Sequence, residues 1–330
     1  MKVTMQTIAD RLGISKNTVS QALRNKDTVS VRTRELVHET AQKVGYNYSE
    51  RANDAVTNNG SLFALITTDL TLTLNSFFGV ILSEIKEKIL KNNQQIDIYA
   101  ISSEQEQELQ LPPQIEQGNY DGIFILSYFS TEYLRKLEAI KTPKVLIDHH
   151  QPNLDIDSVL TANIDGSIEA LAFLAANSVQ TIGFIGDIDR SPSYQERFIG
   201  FELAQKQLNF QSKPEWTICH LKENQGFLFD AIRQLDDLPD AWFCVNNGYA
   251  YSLINYFQSH KLSIPHDVKI LSFDDTDLSR MTHPRMTVMA TNLLEMGDTA
   301  YALLQERITS PEAPIKQICL KPKLIKRGTV

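Results

Sequence analysis

Residues 6–23 read QTIADRLGISKNTVSQAL. Ile8, Ala9 and Leu12 share one helix face, and Gly13 supplies the left-handed stop that commonly ends a helix. Ser15 is then an N-cap for a second helix that turns Val19, Ala22 and Leu23 inward and leaves Lys16, Asn17 and Gln21 outward. The reading is helix, glycine turn, helix. Working outward, residues 24–28 form a polar loop, and Ser30 caps a third helix with Leu36, Val37, Ala41 and Val44 as its buried stripe. Gly45 ends that helix, and the Asn-, Asp- and Thr-rich residues 47–61 read as a linker.

The chain has 330 residues, 42% of them hydrophobic and 22% charged, with a formal net charge of −8. At about one domain per 150 residues, this length fits two large units and a small one. No apolar run approaches the roughly 18–20 residues of a spanning helix, and the first segment lacks the continuous apolar core of a secretory signal. A cytoplasmic protein is expected. The charge is uneven: residues 1–51 hold nine Lys and Arg against five Asp and Glu, a balance of +4 that leaves −12 for the rest. A basic head on an acidic body is the distribution of a nucleic-acid module joined to a body that avoids nucleic acid. Cys219, Cys244 and Cys319 are odd in number, far apart and free of C-x-x-C spacing. That argues against disulfides and a zinc site, and predicts buried reduced thiols.

From Leu62 onward, short apolar runs alternate with amphipathic stretches, the pattern of parallel sheets with crossover helices. Strands are predicted at 62–67, 96–101, 122–126, 144–147, 181–185, 216–219, 241–245 and 269–273. Helices are predicted at 77–90, 167–176, 198–207, 227–235 and 250–260. Eight strands exceed one doubly wound unit. The fold class is therefore a small all-α head plus an α/β body of two doubly wound parallel-sheet subdomains, switching near residues 150–165.

Ligands of open parallel sheets sit at the carboxyl ends of the strands. The residues just after the predicted strands are Asp69, Ser127, Asp148, Asp187, Asn246 with Asn247, and Asp274 with Asp275. Asn75, Phe77 and Phe78 lie in the first strand–helix connection, and Arg197 lies at the start of the helix after Asp187. Hydrogen-bonding groups with aromatic faces suit a small polyhydroxylated ligand such as a sugar. Helix capping by Asp and Asn is the competing role for about half of them. Enzyme chemistry has little support. Asp148, His149 and His150 lack a third ligand at metal spacing, and Asp274 and Asp275 diverge as neighbours at a strand end. The run 182–186, IGFIG, lacks the third glycine of a dinucleotide loop, and neither a P-loop nor a nucleophile elbow occurs. No cofactor, metal or catalytic set is expected.

The head residues Thr4, Ile8, Ala9, Gly13, Ile14, Ser15, Thr18, Val19, Ser20, Leu23, Val29, Ser30, Thr33, Arg34, Val37, Ala41, Gly45 and Tyr46 resemble, at unbroken spacing, the head motif of the lactose-repressor (LacI/GalR) family of bacterial transcription regulators. Body residues also look like that family, among them Asn75, Asp121-Gly122, Gly200-Phe201, Phe273-Asp274, Asn292, Gly297, Ala300 and the closing residues 324–329. The resemblance spans essentially the whole chain. It implies a helix-turn-helix DNA-binding domain at 1–46, a hinge at 47–60, and a periplasmic-binding-protein-like body at 61–330 for effector binding and dimerisation. The N-subdomain would comprise about 61–160 plus 291–318, and the C-subdomain about 161–290 plus 319–330.

A homodimeric repressor on double-stranded operator DNA is implied, with the second head helix in the major groove. Lys16, Asn17 and Gln21 would read bases, while Thr4, Ser15, Thr18, Asn25, Ser30 and Thr33 would bond phosphates. The hinge residues would be Arg51, Ala52, Ala55 and Val56. Ala55 stands where the family carries a leucine wedge, so reduced operator bending is expected. In the effector cleft the resemblance supports Phe77, Phe78, Arg197, Asn246 and Asp274. Asn247 replaces the usual aspartate and Leu221 lies near an aromatic position, departures that point to an unusual, anionic or phosphorylated effector. The implied function is repression of a carbohydrate-use operon, released by a sugar or sugar phosphate. The alternative is the same regulator acting with a phosphocarrier protein or small-molecule corepressor. A soluble sugar-binding transport protein, the rival class, would carry a signal peptide and no basic head. With no leucine heptad tail after Thr329, a dimer is expected.

Overall fold

The computed structural model describes residues 5–23, 29–44 and 61–330, in two units, Met1–Ser61 and Leu62–Val330. The head contains α1 (Met5–Leu12), α2 (Lys16–Leu23) and α3 (Val31–Lys43). Gly13 sits at φ +64° with no atom within 4 Å of a Cβ built on it, so its glycine is needed for backbone conformation and not for space. Ser15 Oγ accepts the Thr18 amide at 3.0 Å and Ser30 Oγ the Thr33 amide at 3.2 Å, which caps α2 and α3. Ile8, Ala9, Val19, Ala22, Val29, Val37 and Ala41 form a small core. Leu36 is 49% exposed, contrary to the sequence reading. The stripe of α3 runs through Val37, Ala41 and Val44, at i, i+4 and i+7, and Leu36 lies one residue, about 100°, off its leading edge.

In the body, β1 (Leu62–Thr68), β2 (Gln95–Ile101), β3 (Gly122–Leu126), β4 (Lys144–Ile147) and β5 (Asp157–Thr161) belong to the first sheet. So does the late strand β11 (Gln317–Leu320), and the order is β11-β5-β4-β3-β1-β2, all parallel. The second sheet is β12-β10-β9-β8-β6-β7, from β6 (Ile182–Ile185), β7 (Thr217–Ile218), β8 (Ala241–Cys244), β9 (Lys269–Phe273), β10 (Thr287–Ala290) and β12 (Lys323–Ile325). Within it only β12 is antiparallel, to β10. The two sheets repeat one topology. Phe63 and Leu65 face one core layer of the first sheet while Ala64 and Ile66 face the other, the period-two alternation of a strand covered on both faces.

Four strands escaped the sequence reading: β5, β10, β11 and β12. Each is short or opens on polar residues. Asp157, which opens β5, is 1% exposed and accepts from Arg307 Nε at 2.7 Å and Nη2 at 2.9 Å, so a buried ion pair stands where a hydrophobic residue would have marked a strand. The same pair fastens the helix Leu293–Thr309 to the first sheet. Cys319 and Leu320, assigned by sequence to the second subdomain, lie in β11 of the first sheet; the chain crosses after them, at Lys321-Pro322. Of the cysteines, Cys244 is buried, Cys219 half-buried and Cys319 exposed, so burial holds only for the first. No helix among the described residues is long and apolar enough to cross a membrane.

Candidate functional site

On the head, Lys16 and Ser15 are exposed at the start of α2, and Thr18 and Gln21 are half-buried. The hydroxyls of Ser15 and Thr18 lie 2.8 Å apart, as do those of Ser30 and Thr33. Both pairs sit at helix N-termini, whose amides and dipole favour an anion. The side chain of Asn17, and Thr4, Asn25, Arg51, Ala52, Ala55 and Val56, lie outside the described residues.

In the body, three residues just after strands take a left-handed backbone that costs an ordinary side chain about 1–2 kcal/mol: Ser127 (φ +84°), Asp148 (φ +59°) and Asp274 (φ +73°). Their amides still bond the neighbouring strands, to Ile147 O at 3.3 Å, Val159 O at 2.9 Å and Met289 O at 2.8 Å. Each thus ends its strand with the ladder intact and the chain turned sharply. Such strain collects at functional sites.

Arg197, on the helix Pro192–Gln207, is 2% exposed. Its Nε donates to Asn163 Oδ1 at 2.9 Å, Nη1 to Val245 O at 2.8 Å, and Nη1 and Nη2 to the two oxygens of Asp274 at 3.3 Å each. Its guanidinium also lies 4.2 Å from the centre of the Phe273 ring. Burial raises the Asp274 carboxyl above its ordinary value, and Arg197 opposes that rise. Asp148 meets the same cluster: burial pushes its carboxyl up to about 7, against the pull of Arg197 and with repulsion from Asp274 and Glu196. Ser193 Oγ reaches Asp148 O at 3.4 Å, a contact between the subdomains.

Asn246 caps the helix Asn247–Ser259 by accepting the Tyr249 amide at 3.1 Å, and its Nδ2 donates to the Tyr194 hydroxyl at 2.6 Å and to Glu223 Oε2 at 3.0 Å. Desolvation raises the Tyr194 phenol. Asn163, Tyr194, Glu196 and Glu223 were missed from sequence. Asn163 follows the unrecognised β5, and Tyr194 opens a helix whose predicted start, Phe198, is six residues late.

Two residues at strand ends have partners outside the Arg197 cluster. Asn247 is 3% exposed and points its amide at Met286 Sδ, 3.9 Å away, so it faces the second core instead of joining the Arg197 cluster. Asp275 belongs to a clamp on the C-terminal segment, with Arg327 Nη1 at 2.8 Å and Arg280 Nη2 at 3.0 Å, and these partners lower its carboxyl to about 2 against the cost of burial. Leu221 is half-buried against the second core, and its carbonyl accepts the Tyr249 hydroxyl. Asp187 accepts the Asp189 amide at 3.3 Å in a local turn.

From the first subdomain, Asn75 and Ser76 line a groove of about 750 Å³ with Leu293 and Leu294, opposite Thr276 and Asp277 of the second. Phe77 and Phe78 pack edge-to-face at 4.9 Å and lean on the first-sheet core. Asp69 is exposed at the start of the helix Asp69–Thr73. Among the described residues, no three His, Cys, Asp or Glu are grouped to hold a metal.

Residues 4–49 match the model of bacterial regulatory proteins of the lacI family, and residues 171–330 that of the periplasmic binding protein-like domain. The HTH-type transcriptional repressor PurR of Vibrio vulnificus is 24% identical over 331 residues, covering 99% of this chain and 98% of its own. Among solved structures, the complex of the transcriptional regulator CelR with cellobiose superposes with a TM-score of 0.71 at 19% identity, covering all of both chains. The lac repressor dimer bound to operator and the anti-inducer ONPF gives 0.69 at 18% identity, over 100% of this chain and 99% of its own. With its helix–glycine–helix head and paired doubly wound sheets, the chain carries the head domain of the lacI family of bacterial regulatory proteins and is a homologue, over its whole length, of DNA-binding transcriptional repressors.

Proposed function

We propose that this repressor controls a carbohydrate-use operon as a homodimer on a pseudo-palindromic operator, released by a sugar or sugar phosphate in the cleft between its body subdomains. The observation that carries the reading is the cluster of Arg197, Asp274, Asn246 and Asp148. It gathers charged and amide groups from several strand ends and one helix at the subdomain boundary, where a hydroxyl-rich ligand finds both donors and acceptors. Cellobiose in the CelR complex and the operator-bound lac repressor dimer support it. Lys16, Asn17 and Gln21 read bases, and the Ser15–Thr18 and Ser30–Thr33 pairs bond phosphate. Ligand draws the subdomains together and shifts the dimer off its half-sites. Linkage then requires operator and ligand to weaken each other by the same factor.

The test is selection of operator from random-sequence DNA, followed by titration of the selected fragment with a sugar and sugar-phosphate panel. Two-fold symmetric sites and release by at least one compound are expected. Sites without symmetry, or an affinity indifferent to every compound, would overturn the reading.

A further inference from the structure

The cleft has two places where an anion is normally held, and the chain's own carboxylates fill both. The first is Arg197. Four of its five N–H donors are engaged, two of them by Asp274. The second is the N-terminus of the helix Asn247–Ser259. Glu223 lies so close to it that a Cβ on Gly248 would stand 1.6 Å from Glu223 Oε1, and Glu223 Oε2 accepts from the capping Asn246 at 3.0 Å. Glycine at 248 is what lets this carboxylate reach the helix start. A phosphate or carboxylate on the ligand would therefore meet receptors already neutralised.

The opposite holds for a cation. Asp148 Oδ1 is shut off from solvent and has no hydrogen-bond partner. The charged groups acting on it are Arg197 and Glu196 from the helix Pro192–Gln207 and Asp274 from the end of β9; His149 and His150 follow it in the chain. Arg197 is bonded to Asp274, and Glu196 takes Asn163 Nδ2 at 2.8 Å with His150 Nδ1 at 3.9 Å. That leaves the Asp148 carboxyl with no directly bonded cation: burial raises it to about 7, the more distant pull of Arg197 opposes the rise, and Asp274 and Glu196 add to it. An ammonium group carries three donors and would supply a charge-assisted bond to the orphan oxygen.

We propose that the cleft takes an amine-bearing, hydroxyl-rich cation of the amino-sugar kind, with the Asp148 carboxylate as acceptor of its ammonium group, and excludes phosphorylated sugars. The inference rests on the placement of the effector in this cleft and narrows the sugar or sugar-phosphate reading. The experiment is calorimetry on the full chain at pH 6.5 with glucose, galactose and mannose, each alongside its 2-amino and 6-phosphate derivative. The tightest amino sugar is expected to bind at least tenfold better than its parent, and the phosphates not at all. Its binding should release a fraction of a proton, read as different heats in two buffers of unequal ionisation enthalpy. Asp148→Asn should abolish the proton release and weaken the amino sugar at least tenfold more than it weakens the parent sugar. If that variant fails to fold, the wild-type ranking and proton count decide alone. A phosphate bound most tightly, equal binding of amine and parent, or a gap that survives in Asp148→Asn would overturn the inference. Silence from all nine compounds would instead contradict the sugar-class reading, and the inference with it.

Discussion

On the second-subdomain wall of the cleft, Arg197 is 2% exposed and locked by hydrogen bonds to Asn163, Val245 and Asp274, and Asn246 is held from three sides. On the first-subdomain wall, Asp69 and Asn75 are exposed, and the rings of Phe77 and Phe78 contact each other and their own core. Both walls come from sheets of the same strand order, so topology does not cause the contrast. Its source is the residues placed at the strand ends. Groups already fixed by buried bonds lose little freedom when a ligand arrives, whereas exposed side chains must be ordered at that moment. The second-subdomain cluster is therefore already ordered, and the first-subdomain residues are not.

The largest effect should come from Arg197. Arg197→Ala strands Asp274, Asn163 and the Val245 carbonyl, and is expected to cost about 3–5 kcal/mol in urea denaturation. Asn75→Ala should stay within about 0.5 kcal/mol and act only on ligand affinity. Equal costs on the two walls would break the comparison.

Acidity tests it next. The raised carboxyl of Asp148, about 7, contributes stability that is complete below its unfolded value near 4 and lost as pH rises through 7. The lowered carboxyl of Asp275, about 2, contributes stability that is present above 4 and lost as pH falls through 2. Asp148→Asn should therefore gain on the wild type between pH 4 and 7, by at most about 4 kcal/mol, while Asp275→Asn should lose most at neutral pH. Melting curves across pH 3–8 that shift in parallel would contradict both assignments. A smaller effect is expected from Gly248→Ala, which displaces the flexible, exposed end of Glu223 from the helix start while gaining helix propensity, and should leave stability within about 1 kcal/mol of the wild type; a much larger loss in urea denaturation would show that Glu223 is held there more firmly than its exposure implies.

Much of this was legible before any coordinates. The strands β3 and β8 are continuous apolar runs and β4 and β9 nearly so, which places Ser127, Asn246, Asp148 and Asp274 at strand ends. Arg197 was marked by the helix that follows β6. What escaped was held by long-range polar contacts. β5 begins on Asp157 because Arg307, 150 residues later, neutralises it, and no local periodicity records that partner. Glu223 reaches the helix start beside Asn246 only because Gly248 leaves room there. Asn247 and Asp275 sit one residue beyond Asn246 and Asp274, and that one residue of rotation at a helix start or strand end turns them to Met286 and Arg327, partners no local pattern records.

The most direct test measures operator affinity with and without the tightest-binding sugar, in the wild type and in Asp274→Asn. The sugar should shift wild-type affinity tenfold or more and leave the variant's unchanged, as the site proposed at Asp274 and Arg197 requires. An equal shift in both proteins would place the controlling ligand outside this cleft and contradict the account.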